Sequence, residues 1–353
     1  MSGLIIIALI ILVFVIIYQI GKASEYATII RGEEKVQVKT NRIVAWVFLI
    51  TFILGMYGIW ICNSALSGRM LKTAASVQGV AYDNMFFLTL IVTGIVFFIT
   101  QFALFWFAFR YQSTEKRKAF FYAHNNKLEI IWTTIPAIAM AILVAIGLRD
   151  WFAVTDDAPP GAQIVEVVGK QFNWLIRYPG KDGELGTRNF RNINDANNVL
   201  GLDWKDKHNL DDIIVQNGEL HLVVGKPVKL LIGSRDVIHD VGLTHFRMKM
   251  DAVPGITTTM WFTPTITTDS MKVLTNDPDF VYEISCDQVC GKGHYSMRGT
   301  VIVQTQQEYD AWLAGQQPYY VMNNPANTPV GEKKEANDAK SGKADTVKTL
   351  TMK

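Results

Sequence analysis

Four uncharged apolar runs occupy the first 150 positions of the chain, at residues 4–20, 43–62, 86–109 and 130–148. Each is long enough to cross a bilayer, the first only at the lower limit. Backbone in hydrocarbon must close its own hydrogen bonds, so each run is predicted to be a transmembrane helix. A cleaved leader is the rival for the first run. The start Met1-Ser2-Gly3 carries no charge and Lys22 and Glu25 follow the run, which favours a retained span. From about Asp156 the texture changes to short β-branched segments: Gln163–Val168, Glu219–Val224, Val228–Ile232, Phe280–Ser285 and Thr300–Gln304, with another around Met260–Phe262. Turn residues punctuate them at Pro179-Gly180, Gly225, Pro254-Gly255 and Pro264, which predicts an all-β sandwich or barrel. Residues 181–212, rich in Asn, Asp and Lys, read as a surface excursion, functional or mobile. A helix is predicted at about 306–315, and beyond Pro325 a charged tail with almost no apolar residues reads as disordered.

Charge then orients the spans. The 21–42 loop carries Lys22, Arg31, Lys35, Lys39 and Arg42, and the 110–129 loop carries Arg110, Lys116, Arg117, Lys118 and Lys127. The loop between the second and third runs has only Arg69 and Lys72. The excess of Lys and Arg puts the 21–42 and 110–129 loops in the cytoplasm and everything after Leu148 outside. Over all 353 residues the net charge is +2, and no basic stripe or RNA-binding motif is present, so nucleic acid is not an expected partner. Three cysteines are too few for a disulfide framework. Cys62, at the outer end of the second run, reads as a small apolar helix-packing residue.

Candidate chemistry concentrates at residues 286–297, where Cys286, Cys290, His294 and Met297 fall within one short stretch. Thiolate, imidazole and thioether donors together suit copper, and suit zinc less well. A disulfide, a zinc site and two idle buried cysteines are the rival readings. A further ligand from a distant loop would complete a metal site. His239 and His245 both fit by spacing, whereas His221, alternating with Leu220 and Leu222, is expected to face solvent. Glu129 precedes the apolar residues of the fourth run. There an acid stabilises the helix dipole, or forms a proton entry at the membrane edge.

Five stretches, taken in order, resemble subunit II of cytochrome c oxidase, in the haem–copper oxidase family. They are Glu129-Ile130-Ile131-Trp132-Thr133-Thr134-Ile135-Pro136, Gly169-Lys170-Gln171-Phe172-Asn173-Trp174, Asp236-Val237-Ile238-His239, Asp251-Ala252-Val253-Pro254-Gly255 and the 286–297 loop. The resemblance covers about Phe86 to Leu313. It implies a transmembrane helix hairpin followed by a cupredoxin-like Greek-key sandwich, with a binuclear copper centre, CuA. Cys286 and Cys290 match the bridging thiolates, His239 and His294 the histidines, Met297 the thioether, and Gln288 a backbone-carbonyl ligand. The resemblance thus selects His239 over His245. It also implies a magnesium or manganese site at the subunit I interface through Gln288, where a neutral amide stands in place of the family's frequent Glu. Phe172 and Trp174 match the electron-entry region, with Phe172 in the place of the usual Trp. Glu129 matches the mouth of a proton path into subunit I.

The implied function is the electron-entry subunit of a membrane cytochrome c oxidase, an oxidoreductase and translocase. Electrons from cytochrome c, soluble or tethered, would pass through CuA to haem in subunit I, where dioxygen becomes water and protons are pumped. Subunit I, subunit III and the lipid membrane are the implied partners. The implied location is a bacterial inner membrane, crossed several times, with the copper domain on the periplasmic face. The expected domains are an accessory helix pair (1–80), the family hairpin (81–152), the copper domain (153–325) and the charged tail (326–353). Two rivals remain: a copper carrier without subunit I, disfavoured by the Glu129–Pro136 motif, and a copper-free quinol-oxidase subunit, disfavoured by Cys286, Cys290 and Met297.

Overall fold

The computed structural model describes residues 2–69, 73–114, 117 and 120–324, so the charged tail expected at 326–353 lies outside the described residues. The four apolar runs lie within four long helices: α1 (Ser2–Arg31), α2 (Glu33–Leu66), α3 (Val77–Arg110) and α4 (Asn126–Thr155). Each contains a stretch long and apolar enough to cross a membrane, and hardly any of those stretches is buried within the chain. Apolar side chains exposed along whole helices are stable only against lipid or other apolar helices. Between α1 and α2 stands Gly32 at φ 85°, a backbone angle that favours a residue without Cβ. The chain divides into a helical unit (1–70 and 86–143) and a second unit (71–85 and 144–353) that contains the β domain.

Within the helical unit, α2 packs on α3 through aromatic pairs. Trp46 meets Phe109 edge-on at 4.9 Å between ring centres, and Phe105 meets Phe52 at 4.9 Å and Phe48 at 5.5 Å. The α4 N-terminus is closed locally: Leu128 N–H donates to Asn125 Oδ1 at 3.1 Å, and Asn125 N–H donates to Glu129 Oε1 at 3.4 Å. Glu129 thus serves its helix terminus in the manner of a capping box.

The β domain has ten strands: β1 (Gln163–Lys170), β2 (Asn173–Tyr178), β3 (Ile213–Val215), β4 (Glu219–Val223), β5 (Val228–Ser234), β6 (His239–Leu243), β7 (Met248–Ala252), β8 (Thr258–Phe262), β9 (Tyr282–Cys286) and β10 (Arg298–Gln304). They form two five-stranded sheets, ordered β3-β2-β1-β5-β8 and β4-β10-β9-β6-β7. Alternation drives their association. Val165, Val167, Trp174, Ile176 and Tyr178 of the first sheet share one core with Leu220, Leu222, Val241, Ile284 and Val301 of the second.

The intervening residues of the first sheet point the other way, and the 181–212 excursion covers them. Val168, Leu175 and Ile214 pack there against Val199, Leu200, Leu202 and Tyr319. Arg177, fully buried on that face, donates to Glu166 Oε2 at 3.0 Å, Gly186 O at 2.7 Å and Asn209 Oδ1 at 2.7 Å, and pairs with Asp212. A buried guanidinium needs such a full set of acceptors to offset its lost hydration. The excursion is therefore a packed cover with its own polar core. Three short helices complete the domain: α5 (Thr268–Thr275), α6 (Gln306–Ala314) and α7 (Tyr319–Asn323). His221 departs from its expected place: it is 4% exposed, because α6 lays Trp312 parallel to the imidazole with ring centres 3.8 Å apart.

Candidate metal centre

Neighbouring strands deliver the donors. His239 opens β6, Cys286 closes β9, and the two strands pair with Val241 opposite Cys286. The chain then leaves the sheet for the ligand-rich loop and returns at Met297, immediately before β10. Cys286 N–H donates to Met297 O at 3.2 Å and closes the neck of that loop. A 3-10 turn over His294–Ser296 brings His294 back towards the cysteines.

Four of the five side-chain donors are buried: His239 and Met297 completely, Cys290 at 4% and Cys286 at 8% exposure. The two Sγ atoms are 3.8 Å apart, far beyond the ~2.05 Å of a disulfide. His239 Nδ1 lies 3.8 Å from Cys286 Sγ, and His294 Nδ1 lies 3.7 Å from Cys290 Sγ, so each thiol has its own imidazole. Met297 Sδ is 3.9 Å from Cys290 Sγ, and the Gln288 carbonyl oxygen is 3.1 Å from Cys286 Sγ. His239, Cys286 and Cys290 place one ligand atom each within 4.8 Å of one another. A surface pocket of about 310 Å³ has Cys286, His294 and Met297 in its lining.

Sequence reasoning missed the residues that orient these donors. Asp236 Oδ1 is 2.7 Å from His239 Nε2, leaving Nδ1 to face the thiols. The other oxygen of Asp236 accepts the Gln171 N–H at 2.8 Å. Burial pushes the Asp236 carboxyl up, but the Gln171 N–H and the His239 ring outweigh it and hold the group below its usual range. The Gln171 side chain donates to Cys290 O at 2.6 Å. A carboxylate three positions before a candidate His ligand was the available signal for Asp236. Gly169 gives the imidazole its room, because a Cβ there would stand 2.6 Å from His239 Cδ2. Gly293 does the same for Phe172, whose Cγ would be 2.5 Å from an added Cβ.

Burial, then the neighbouring Cys286 thiol, push the Cys290 thiol up to about 11, so it is protonated at neutral pH while no ion is bound. Asp251 of β7 stands opposite Asp240 of β6, and Asp287, one residue past the end of β9, donates its N–H to Asp240 O at 3.3 Å. Burial and then Asp251 raise the Asp240 carboxyl to about 7.

Other expected site residues fall as follows. Phe172 is 39% exposed, its ring against the Gly291–Gly293 backbone, whereas Trp174 is fully buried and edge-on to His239 at 6.1 Å. Burial removes Trp174 from any surface meeting with an electron donor. The Gln288 side chain is exposed. His245 stands apart from the donors, edge-on to Phe280 and Tyr282, and its carbonyl accepts the Ala75 N–H at 2.8 Å. Glu129 belongs to the helical unit.

Residues 64–149 match the family profile "Cytochrome C oxidase subunit II, transmembrane domain", and residues 163–305 match "Cytochrome C oxidase subunit II, periplasmic domain". The chain is 39% identical over 237 residues to the alternative cytochrome c oxidase subunit 2 of Bradyrhizobium diazoefficiens, covering 67% of this chain and 80% of that one. It is 26% identical over 290 residues to cytochrome c oxidase subunit 2 of Thermostichus vulcanus, covering 76% and 84%. Among solved structures, the periplasmic domain of subunit II of cytochrome oxidase of Bradyrhizobium japonicum aligns with a TM-score of 0.30 at 23% identity, covering 45% of this chain and 95% of that chain. Both halves of the family are present in order, the cupredoxin-like periplasmic domain following the membrane helices, with α1 and most of α2 preceding the matched region. The chain belongs to the cytochrome c oxidase subunit II family.

Proposed function

We propose that this chain is the electron-entry subunit of a membrane cytochrome c oxidase, holding a binuclear CuA centre on Cys286, Cys290, His239, His294, Met297 and the Gln288 carbonyl. The observation that carries this reading is the pair of unbridged thiols 3.8 Å apart, each with its own imidazole Nδ1. The donor set fits: soft sulfur and imidazole donors, mostly buried, with Cys286, His294 and Met297 in the lining of the surface pocket. When bound, copper held by these residues would supply a one-electron acceptor.

The chain's own residues fix how that centre works. Asp236 holds the outer nitrogen of His239, and Gln171 ties the Cys290 carbonyl to the same group, so these donors would be held in position for copper. Phe172 offers an exposed aromatic face above the loop and is the contact proposed for cytochrome c. Trp174 supports His239 from below. Electrons would then pass to haem in subunit I, the site of dioxygen reduction and proton pumping, in a bacterial inner membrane. Glu129 is the proposed proton entry, a role compatible with closing its helix. This chain's side-chain contribution to a second metal at Gln288 would be an exposed neutral amide oxygen, a poorer ligand for magnesium or manganese than a carboxylate.

The test is copper counting with electron paramagnetic resonance on the purified full chain. Two coppers and a delocalised mixed-valence spectrum are expected, both lost in Cys286→Ser. One copper with a single-site spectrum would overturn the binuclear assignment. An oxidase carrying Glu129→Gln with undiminished turnover would remove the proton-entry role.

A further inference from the structure

The second helix of the chain precedes most of the matched family region, and its packing against α3 creates a pocket at the cytoplasmic edge of the membrane. Val38, Arg42 and Trp46 fall on one stripe of α2, at spacings of four. Trp46 is seated on Phe109, so this stripe faces α3. Towards the cytoplasm the aromatic seam gives way to a cavity of about 250 Å³, bordered by Arg42, Phe109, Arg110, Gln112, Thr114 and Arg117. Asn41 Nδ2 donates to Ser113 O at 3.5 Å across the same gap. Arg117 is folded back from the loop, its guanidinium donating to Arg110 O at 2.6 Å and lying 5.9 Å from the Tyr111 ring centre. Among the described residues, none of the three arginines has a carboxylate partner.

Two ordinary explanations cover part of this. Arg110 in the last turn of α3 complements the helix dipole, and an excess of Arg and Lys on cytoplasmic loops orients the spans. Neither requires three guanidinium groups from two helices and a loop to border one cavity, against mutual repulsion. An anion in the cavity relieves that repulsion, and guanidinium groups are the side chains best matched to phosphate oxygens. The cavity lies where apolar helix meets cytoplasm, so an anion there can carry acyl chains along the exposed apolar flanks of α2 and α3.

We propose that this pocket seats the phosphate of an anionic phospholipid headgroup, and that forming it is one role of the added helix α2. Basic pockets between transmembrane helices on the cytoplasmic side are suited to such headgroups. The site is independent of the copper centre.

The experiment is native mass spectrometry of the full chain released from phosphatidylcholine bilayers doped with a minority of phosphatidylglycerol. The wild type is expected to retain phosphatidylglycerol preferentially. Arg42→Gln and Arg110→Gln should each lower that retention about fivefold, and Arg42→Lys should keep most of it. Lys22→Gln, which removes a cytoplasmic charge outside the pocket, should leave it unchanged. Excess inorganic phosphate should not displace the lipid; displacement would identify a site for soluble phosphate instead. Equal retention of the two lipids, or equal loss in Lys22→Gln and Arg42→Gln, would overturn the proposal.

Discussion

At the scale of single residues, the centre depends on groups that are not themselves donors. Asp236 sees both His239 and the Gln171 backbone, so its loss would free the imidazole and the 170–173 turn together. Asp236→Ala is expected to weaken copper retention about 10–100-fold in a chelator competition, the usual cost of losing such an orienting carboxylate. Asp240 makes a different prediction. Its carboxyl is raised to about 7 in the fold against an unfolded value near 3.9, so the fold prefers the protonated form. The stabilisation is present in full at acidic pH and is lost as pH rises through about 7. Melting of the copper-free chain should therefore fall between pH 5 and 8 by less in Asp240→Asn than in the wild type. An unchanged pH dependence in that variant would place the effect elsewhere.

At the scale of elements, Gly293 links the ligand loop to the exposed aromatic. A larger residue there must displace the Phe172 ring. Gly293→Val is expected to slow electron uptake from cytochrome c while two coppers remain bound, measured by stopped-flow reduction beside metal analysis. Period-2 alternation made β1, β4, β5, β8, β9 and β10 legible in the sequence, and the clustered cysteines, His294 and Met297 made the loop legible. What stayed hidden depended on covering elements. Every residue of β2 but the first is buried, with Arg177 and Leu175 outward, because residues 181–212 fold over that face, and no local pattern announces such a cover. His221 was misjudged for the same reason, since Trp312 reaches it from a helix ninety positions away. His239 was separable from His245 by family resemblance and then by contact geometry, spacing being silent between them.

At the scale of the whole molecule, the copper site lies in the second unit and the arginine pocket in the first. A chain shortened to begin after α2 is therefore expected to bind two coppers with the wild-type spectrum and to lose its preference for phosphatidylglycerol. Copper affinity in either chain should rise with pH, about tenfold per unit for the proton on Cys290 while that thiol remains protonated, as read by competition titration. Flat affinity across neutral pH would mean that Cys290 is already a thiolate.

The hydrogen bond from Cys286 N–H to Met297 O makes the loop begin and end at one point of the sheet. Such a segment is a cassette: its length and composition can drift, or be exchanged, without asking the strands to shift register. Metal identity can then evolve faster than the sandwich that carries it. The cassette is not autonomous, because His239, its Asp236 clasp and the ledge at Gly169 belong to the host. A recipient sandwich lacking those three would inherit the sulfurs without half of the imidazoles.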